Sequence, residues 1–387
     1  MKNALIFVVF FIVVFFFGVN EVFAALTPFL ICSDTASYPT VGGDVVAWQD
    51  FRNGNVDIYG KNLLTMEEFE ICTNTATQGS PSIDNNFVAW VDGRNGNYDI
   101  YGKNLLTGEE IPIDLSPYNV WQPDVSGNIV VWHDFHPAVG DVPAYTNILG
   151  KNWVTGEEFV LYSDGTTKHS LPVISGDIVV WGDFRNGNID IYGKNIATSE
   201  NLVIYVGPGE QHRPSIDGNI VVWQDSRNGN SDIYGKNLIT GEEFVVCDNP
   251  FLQSNPNIGG NYVTWWDTRN GNDDIYGYNL LTKEEFPVYV GPGDQFEPKV
   301  NNLLAVWESA YTGTPPVTTG YVSGLFGPLA AGGTGGHSIY GAYLGNIIPE
   351  PATLALIAPA LLGFAGVVWR RRLRTLRMTV IQEEREI

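Results

Sequence analysis

The sequence predicts an all-β fold: a seven-bladed β-propeller of four-stranded blades, the last blade closed by the N-terminal strand, with six blades as the alternative. Three observations carry this. A phrase, W-x-D-x-R-N-G-N-x-D-I-Y-G, is nearly intact at Trp48–Gly60, Trp90–Gly102, Trp181–Gly193, Trp223–Gly235 and Trp265–Gly277, and eroded copies start at Trp132 and Trp307. The seven Trp lie 42, 42, 49, 42, 42 and 42 residues apart, and a period in the forties built of short strands and turns is that of propeller blades. Finally, the seventh unit resumes at Ser338-Ile-Tyr-Gly341 without a fourth strand, while Phe29-Leu-Ile-Cys32 matches Phe69-Glu-Ile-Cys72 of the first unit. An N-terminal strand that finishes the last blade leaves few exposed edges.

Along the chain, the first element lies outside the fold. Residues 4–19 are almost wholly apolar after a single Lys, and Val22-Phe23-Ala24 offers a cleavage site, so residues 1–24 read as a secretory signal peptide. The propeller follows over residues 26–345. Its grammar is clearest in the fifth repeat. Pro214-Ser-Ile216 begins an inner strand, and Asp217-Gly218-Asn219 turns it. Ile220-Val-Val-Trp223 is a strongly β-prone run. Asn228-Gly229 predicts a two-residue hairpin turn, since both residues tolerate positive φ. Asp232–Leu238 is a third strand, Thr240-Gly241-Glu242 turns again, and Glu243–Val246 is the fourth.

Residues 309–337 insert a Gly-, Thr- and Pro-rich segment into the last unit. Ala352–Trp369 then runs 18 residues without a charge, long enough to span a bilayer, and Arg370, Arg371 and Arg372 follow as a membrane stop. Arg-rich flanks stay cytoplasmic, which puts residues 374–387 inside as a tail and the propeller outside, in agreement with the signal peptide.

Between the two ends, residues 26–348 hold 14 basic and 38 acidic residues, near −24. A body this acidic excludes nucleic acid or anionic lipid as a bulk-charge partner. Its charge serves solubility or, on a sharper reading, weak cation binding. Cys32, Cys72 and Cys247 occupy the same repeat position in different units, where disulfide geometry is not met, so buried thiols are expected.

Strand order places the R-N-G-N hairpins and the blade-to-blade connectors on one face, with the G-N and T-G-E turns on the other. The first face also carries the abnormal hairpin His133–Asn147 and the insertion, and is the candidate binding face. Each Asp pair, such as Asp50/Asp57, flanks a hairpin rich in Asn. Such loops bind calcium in other settings, which makes Asp50 and Asp57 weak metal candidates. Against that, Arg52 holds a would-be ligand position, and Asp that caps turn amides while Arg pairs with it explains the same residues. The Trp ladder reads as core. Trp121 and Phe296 are aromatics outside it, in connectors at the repeat position of His212, and hint at sugar stacking.

Gln78, Gln211, Gln253 and Gln295 lie three residues before the inner-strand Pro, with His169 in a fifth such place. These five are expected at the channel mouth, as loop caps or as a polar ring around a ligand. His133 and His136 straddle Asp134 in the degenerate hairpin. With His169 and His212 they are binding candidates, or else ordinary surface histidines. No nucleophile elbow, phosphate loop or catalytic Cys is present, so no catalytic residue is assigned.

The repeated phrase resembles that of TolB-like β-propellers of bacterial and archaeal surface proteins, over roughly residues 26–345. The C-terminus resembles a PEP-CTERM sorting signal: Pro349-Glu350-Pro351, the apolar stretch, then Arg370–Arg372, together residues 349–373. This resemblance implies export, an exosortase-type sorting enzyme as partner, and association with extracellular polysaccharide and biofilm matrix. The continuation to Ile387 departs from the pattern and leaves a retained anchor open. The expected function is a non-enzymatic surface module that binds exopolysaccharide or a surface protein and needs no cofactor. The alternatives are a polysaccharide lyase or hydrolase at the channel mouth, and a structural spacer.

Overall fold

The β-branched runs of the repeat pair with one another as antiparallel strands, four to a sheet, and seven such sheets are present in the computed structural model. The structure describes residues 26–33, 35–165, 169–310 and 337–344. The signal segment 1–24, most of the insertion (311–336), the sorting motif with its apolar span, and the tail all lie outside the described residues. No helix among the described residues is long and apolar enough to cross a membrane.

Blade 5 is the most regular copy. Its strands, from the innermost outward, are Gln211–Asp217, Ile220–Asp225, Asp232–Asn237 and Glu243–Cys247. The other six innermost strands are Ala36–Gly42, Gln78–Asp84, Asn119–Ser126, His169–Ser175, Gln253–Gly259 and Gln295–Asn301. Blade 7 joins Gln295–Asn301, Leu304–Ser309 and Ser338–Tyr343 to the N-terminal strand Phe29–Cys32, which pairs Phe29 with Gly341 and Leu30 with Tyr340. Seven blades therefore stand, and the six-blade alternative falls.

Two local expectations are corrected. The innermost strand of blade 5 starts at Gln211, three residues before Pro214, because Gln211 N–H donates to Ile189 O of the preceding blade at 2.9 Å. The hairpin is a six-residue loop, 226–231, and not a two-residue turn. Only Gly229 takes positive φ in it (+99°), with its N–H on Ser226 O at 3.1 Å. The loop is long because both its Asn side chains reach back to Asp232, at 2.9 Å from Asn228 and 2.8 Å from Asn230.

The core lies between blades. Trp223 packs with Val180, Ile191 and Ile204 of blade 4, and its equivalents are as deeply buried at every other joint. Trp223 Nε1 donates to Asp225 at 2.8 Å, and Arg227 clamps the same carboxylate through its backbone N–H (2.9 Å) and Nη2 (2.6 Å). The guanidinium is sandwiched 4.0 Å from Tyr234 of its own blade and 4.0 Å from Tyr205 of blade 4. Asn228 also holds the Tyr234 hydroxyl (2.8 Å), and Asn230 donates to Asn249 O (2.9 Å) and Phe251 O (3.1 Å) in the connector to blade 6. Lys236 reaches back to Ile204 O of blade 4 at 2.7 Å. Gly235 is required because a Cβ there would meet the Phe244 ring at 2.5 Å. Nearly every residue of the repeated phrase thus has a structural task.

Asp50 and Asp57 follow this scheme. Asp50 accepts from Trp48 Nε1 (2.9 Å), Arg52 N–H (2.9 Å), Arg52 Nε (2.8 Å) and Arg52 Nη2 (2.6 Å). Asp57 accepts from Asn53 (2.7 Å) and Asn55 (2.8 Å). Arg52 supplies the counter-charge that a cation would supply. Cys32, Cys72 and Cys247 stand where Tyr205 stands in its joint, as buried free thiols against Arg52, Arg94 and Arg269. Burial pushes Cys32 and Cys247 up to about 12 and Cys72 up to about 11.

Two outcomes are expected. Asn230→Ala strips partners from two connector carbonyls and costs about 1–3 kcal/mol in equilibrium urea unfolding; no change would remove Asn230 from the joint. Iodoacetamide at neutral pH labels the three thiols only after denaturation, as mass spectrometry of native and unfolded samples would show.

Candidate functional site

Each innermost strand contains one proline, and at each the ladder with the second strand slips. The slips fall between Ser37 and Thr40, Gly79 and Ser82, Trp121 and Asp124, Ser170 and Val173, His212 and Ser215, Ser254 and Asn257, and Phe296 and Lys299. Proline has no N–H to lose from a ladder, so a bulge is its natural place. The residue before it takes φ between 46° and 54° in all seven blades: Tyr38, Ser80, Gln122, Leu171, Arg213, Asn255 and Glu297. A non-glycine residue held there stores roughly 1–3 kcal/mol, and such strain concentrates where a side chain must be aimed. These seven residues, with the prolines and the two residues after each, line a central channel of about 390 Å³.

The prolines never change from blade to blade, and the bulge residues never repeat. The wall is therefore sectored. Leu171 and Val173 make blade 4 apolar, and amides and hydroxyls line much of the rest. Glu297 accepts from Asn255 at 2.9 Å and lies 3.9 Å from Arg213 Nη1. Asp124 accepts from Ser82 (2.8 Å) and Ile174 N–H (2.8 Å), and burial pushes its carboxyl up. Asn257 receives Val300 N–H at 2.7 Å and donates to Ser215 at 3.2 Å. The Lys299 side chain has no hydrogen bond or ion pair among the described residues.

One step toward the hairpin face, the structure pairs several candidate residues across strands. Trp121 opposes His133, His212 opposes Gln224, and Phe296 opposes Glu308. Trp121 packs 4.5 Å from Tyr98, and Phe296 lies 6.3 Å from His337, which is bonded to Glu308. Glu308 also accepts Tyr38 N–H at 3.0 Å, which ties this level to the bulge ring. Burial pulls His133 down to about 4, and it lowers His212 as well.

The remaining histidines sit elsewhere. His136 occupies the place of the joint arginine in blade 3: it lies 2.8 Å from Asp134 and 2.9 Å from Asn147, between Tyr118 (3.9 Å) and Tyr145 (4.5 Å). His169 is fully buried, with Nδ1 3.0 Å from Asp183. Burial opposes ionisation of Asp183, but hydrogen bonds from His169 and Arg185 outweigh it and hold the carboxyl well below its ordinary range.

The channel-mouth position expected for Gln78, Gln211, Gln253, Gln295 and His169 is overturned, and with it the polar ring, while the loop-cap reading holds for the four glutamines. The four glutamines have no exposed surface, and each donates to its own connector, as Gln78 does to Ala76 O at 2.7 Å. They point between blades because each pairs across the ladder with the residue two after the Trp, as Gln211 does with Asp225. The bulge ring is what sequence reading missed. Its signal was present: a fixed Pro preceded by a residue that differs in every repeat. Among the described residues, no group of three or more His, Cys, Asp or Glu is placed to hold a metal ion.

No family model matches the chain, and no curated protein does. Solved structures share the fold. Oligogalacturonate lyase from Vibrio parahaemolyticus aligns at 15% identity and TM-score 0.57, over 83% of this chain and 92% of that one. The acylaminoacyl peptidase of Pyrococcus horikoshii aligns at 14% and 0.57, over 73% of this chain and 50% of that one, so the match spans half of the peptidase. The propeller domain of the trilobed protease from Pyrococcus furiosus, described as having an open velcro topology, aligns at 14% and 0.55 over 72% and 90%. At these identities the likeness establishes the fold alone.

A pH dependence follows from His133. Its folded pKa of about 4 lies below the ordinary 6.5, so the unfolded chain takes up the proton more readily. Its contribution to stability is complete above about 6.5 and is lost as pH falls toward 4. The thermal midpoint is expected to drop across that window, and His133→Gln to flatten the drop. An unchanged profile in the variant would show that His133 stays solvated.

Proposed function

We propose that this chain is an exported, non-enzymatic binding module that holds a polysaccharide or a surface protein at its central channel. The observation that supports it best is the bulge ring: seven strained positions aimed at one cavity by identical backbones, each with a different side chain. Duplication produced equivalent blades, and a single ligand held in the shared channel would account for a wall whose side chains differ from blade to blade around a fixed Pro. The aromatic pairs beside Trp121 and Phe296 and the hairpin His133–Asn147 extend the same site outward.

The lyase or hydrolase alternative draws less support. His169 is engaged with Asp183 and His136 with Asp134 in blade joints, and none of His133, His136, His169 and His212 lines the channel. Lyase activity belongs to the Vibrio protein, whose likeness to this chain is one of fold, at 15% identity. Export by residues 1–24, sorting at Pro349–Pro351 by an exosortase-type enzyme, and a place on the cell surface or in the biofilm matrix belong to this proposal. The spacer reading lacks an explanation for the ring.

Channel-filling variants test the central claim. Ser80→Trp and Leu171→Trp are expected to abolish retention of the protein on its extracellular polymer in affinity electrophoresis, with folding unchanged by circular dichroism. Full retention in both would reject channel binding. The mass of the protein recovered from cells checks sorting: an end near residues 349–351 is expected, and an intact tail would mean a retained anchor.

A further inference from the structure

The basic residues of the propeller are nearly all engaged between blades. Each intact repeat commits its Arg to the Asp–Tyr joint, as Arg227 does, and five blades commit a Lys to the preceding blade's outer strand, as Lys236 does. Among the described residues, the bases left over are Arg213, Lys283 and Lys299. Lys283 lies on the opposite turns, over the Phe244 ring at 5.3 Å. The other two line the channel. In a chain of formal net charge −22, these two bases share the cavity with two acids, Asp124 and Glu297, so the channel wall is formally neutral where the rest of the chain is strongly acidic.

They differ in how far they are neutralised. Arg213 has Glu297 at 3.9 Å, a loose contact that leaves most of its donors free. The Lys299 side chain has no hydrogen bond or ion pair among the described residues, and Asp124, a carboxyl that its charge reaches, already accepts from Ser82 and Ile174. A free ammonium in a confined wall is a point-charge receptor for an anion. The wall beside it is made of groups that both donate and accept. Asn255 gives its N–H to Glu297, and its Oδ1 meets no donor among the described residues; Gln122, Asn257 and Ser80 line the same space. Groups of this kind match the hydroxyls of a sugar.

We infer that the channel takes the carboxylate of an acidic sugar residue on Lys299, with Arg213 as the second contact and the amide wall on the sugar hydroxyls. This rests on the channel-binding reading and names its ligand class. The step is binding alone, with no bond made or broken.

Calorimetry on the full chain tests it with three probes: a trisaccharide of glucuronic acid, the trisaccharide of glucose with the same linkage, and an acidic tripeptide of equal charge. The acidic trisaccharide should bind more tightly than either. Lys299→Gln should weaken it about tenfold or more while leaving the neutral sugar unchanged, as loss of one charge-assisted contact implies. Lys299→Arg keeps the charge and should keep the preference, and it serves if the Gln variant does not fold. Equal binding of acidic and neutral sugars, binding of neither, a preference that survives Lys299→Gln, or an equally tight peptide overturns the inference. Should the channel-filling variants still lose the polymer in any of these cases, the channel reading stands and only the ligand class falls.

Discussion

The buried carboxylate two residues after six of the seven joint tryptophans, replaced by Ser309 in blade 7, is the constraint on which the ring depends. Asp225 is fully buried and accepts from Trp223 and from both the backbone and the side chain of Arg227. An ion in such a place is tolerable only with every lone pair employed. That demand fixes the Trp, the Arg and the hairpin conformation at once. The guanidinium can then lie between two tyrosines of adjacent blades, so a polar requirement inside one blade becomes the adhesive between two. Blade 3 shows how little slack there is. With His136 in the arginine's place, a tyrosine pair and Asn147 rebuild a similar sandwich from different parts.

The joint also explains why function had to go elsewhere. Hairpin Asp and Asn residues look like ligands because they are oxygen-rich, yet they spend that chemistry on their own turns and connectors. The surface left for variation is the inner wall. There a proline already breaks the ladder, so a changed side chain leaves the strand pairing of the blade in place. Scaffold and site are separated by about two residues along the same strand.

Much of this was legible in advance. The Trp period and the match between Phe29–Cys32 and Phe69–Cys72 specify blade number and closure, because both reflect local strand chemistry repeated in space. The pairing of Arg with Asp was legible too, since charge opposition at fixed spacing has few other meanings. The glutamine ring was misplaced because strand position does not reveal which blade face a residue takes when the strand begins three residues earlier than its proline suggests. The bulge ring was not read at all. Left-handed φ at Tyr38 or Leu171 runs against residue preference and is imposed by the ladder around it, so no single residue announces it. Only comparison across repeats shows the pattern.

Closure by Phe29–Cys32 ties the two ends of the propeller into one sheet. Six blades are each made from one continuous stretch of chain and can form as that stretch becomes available. The seventh cannot, for its outermost strand is among the first residues of the fold and its neighbour among the last. The ring is a clasp, and assembly must hold an early strand in reserve until the final one arrives. The last blade is thus where the order of synthesis and the order of folding part company.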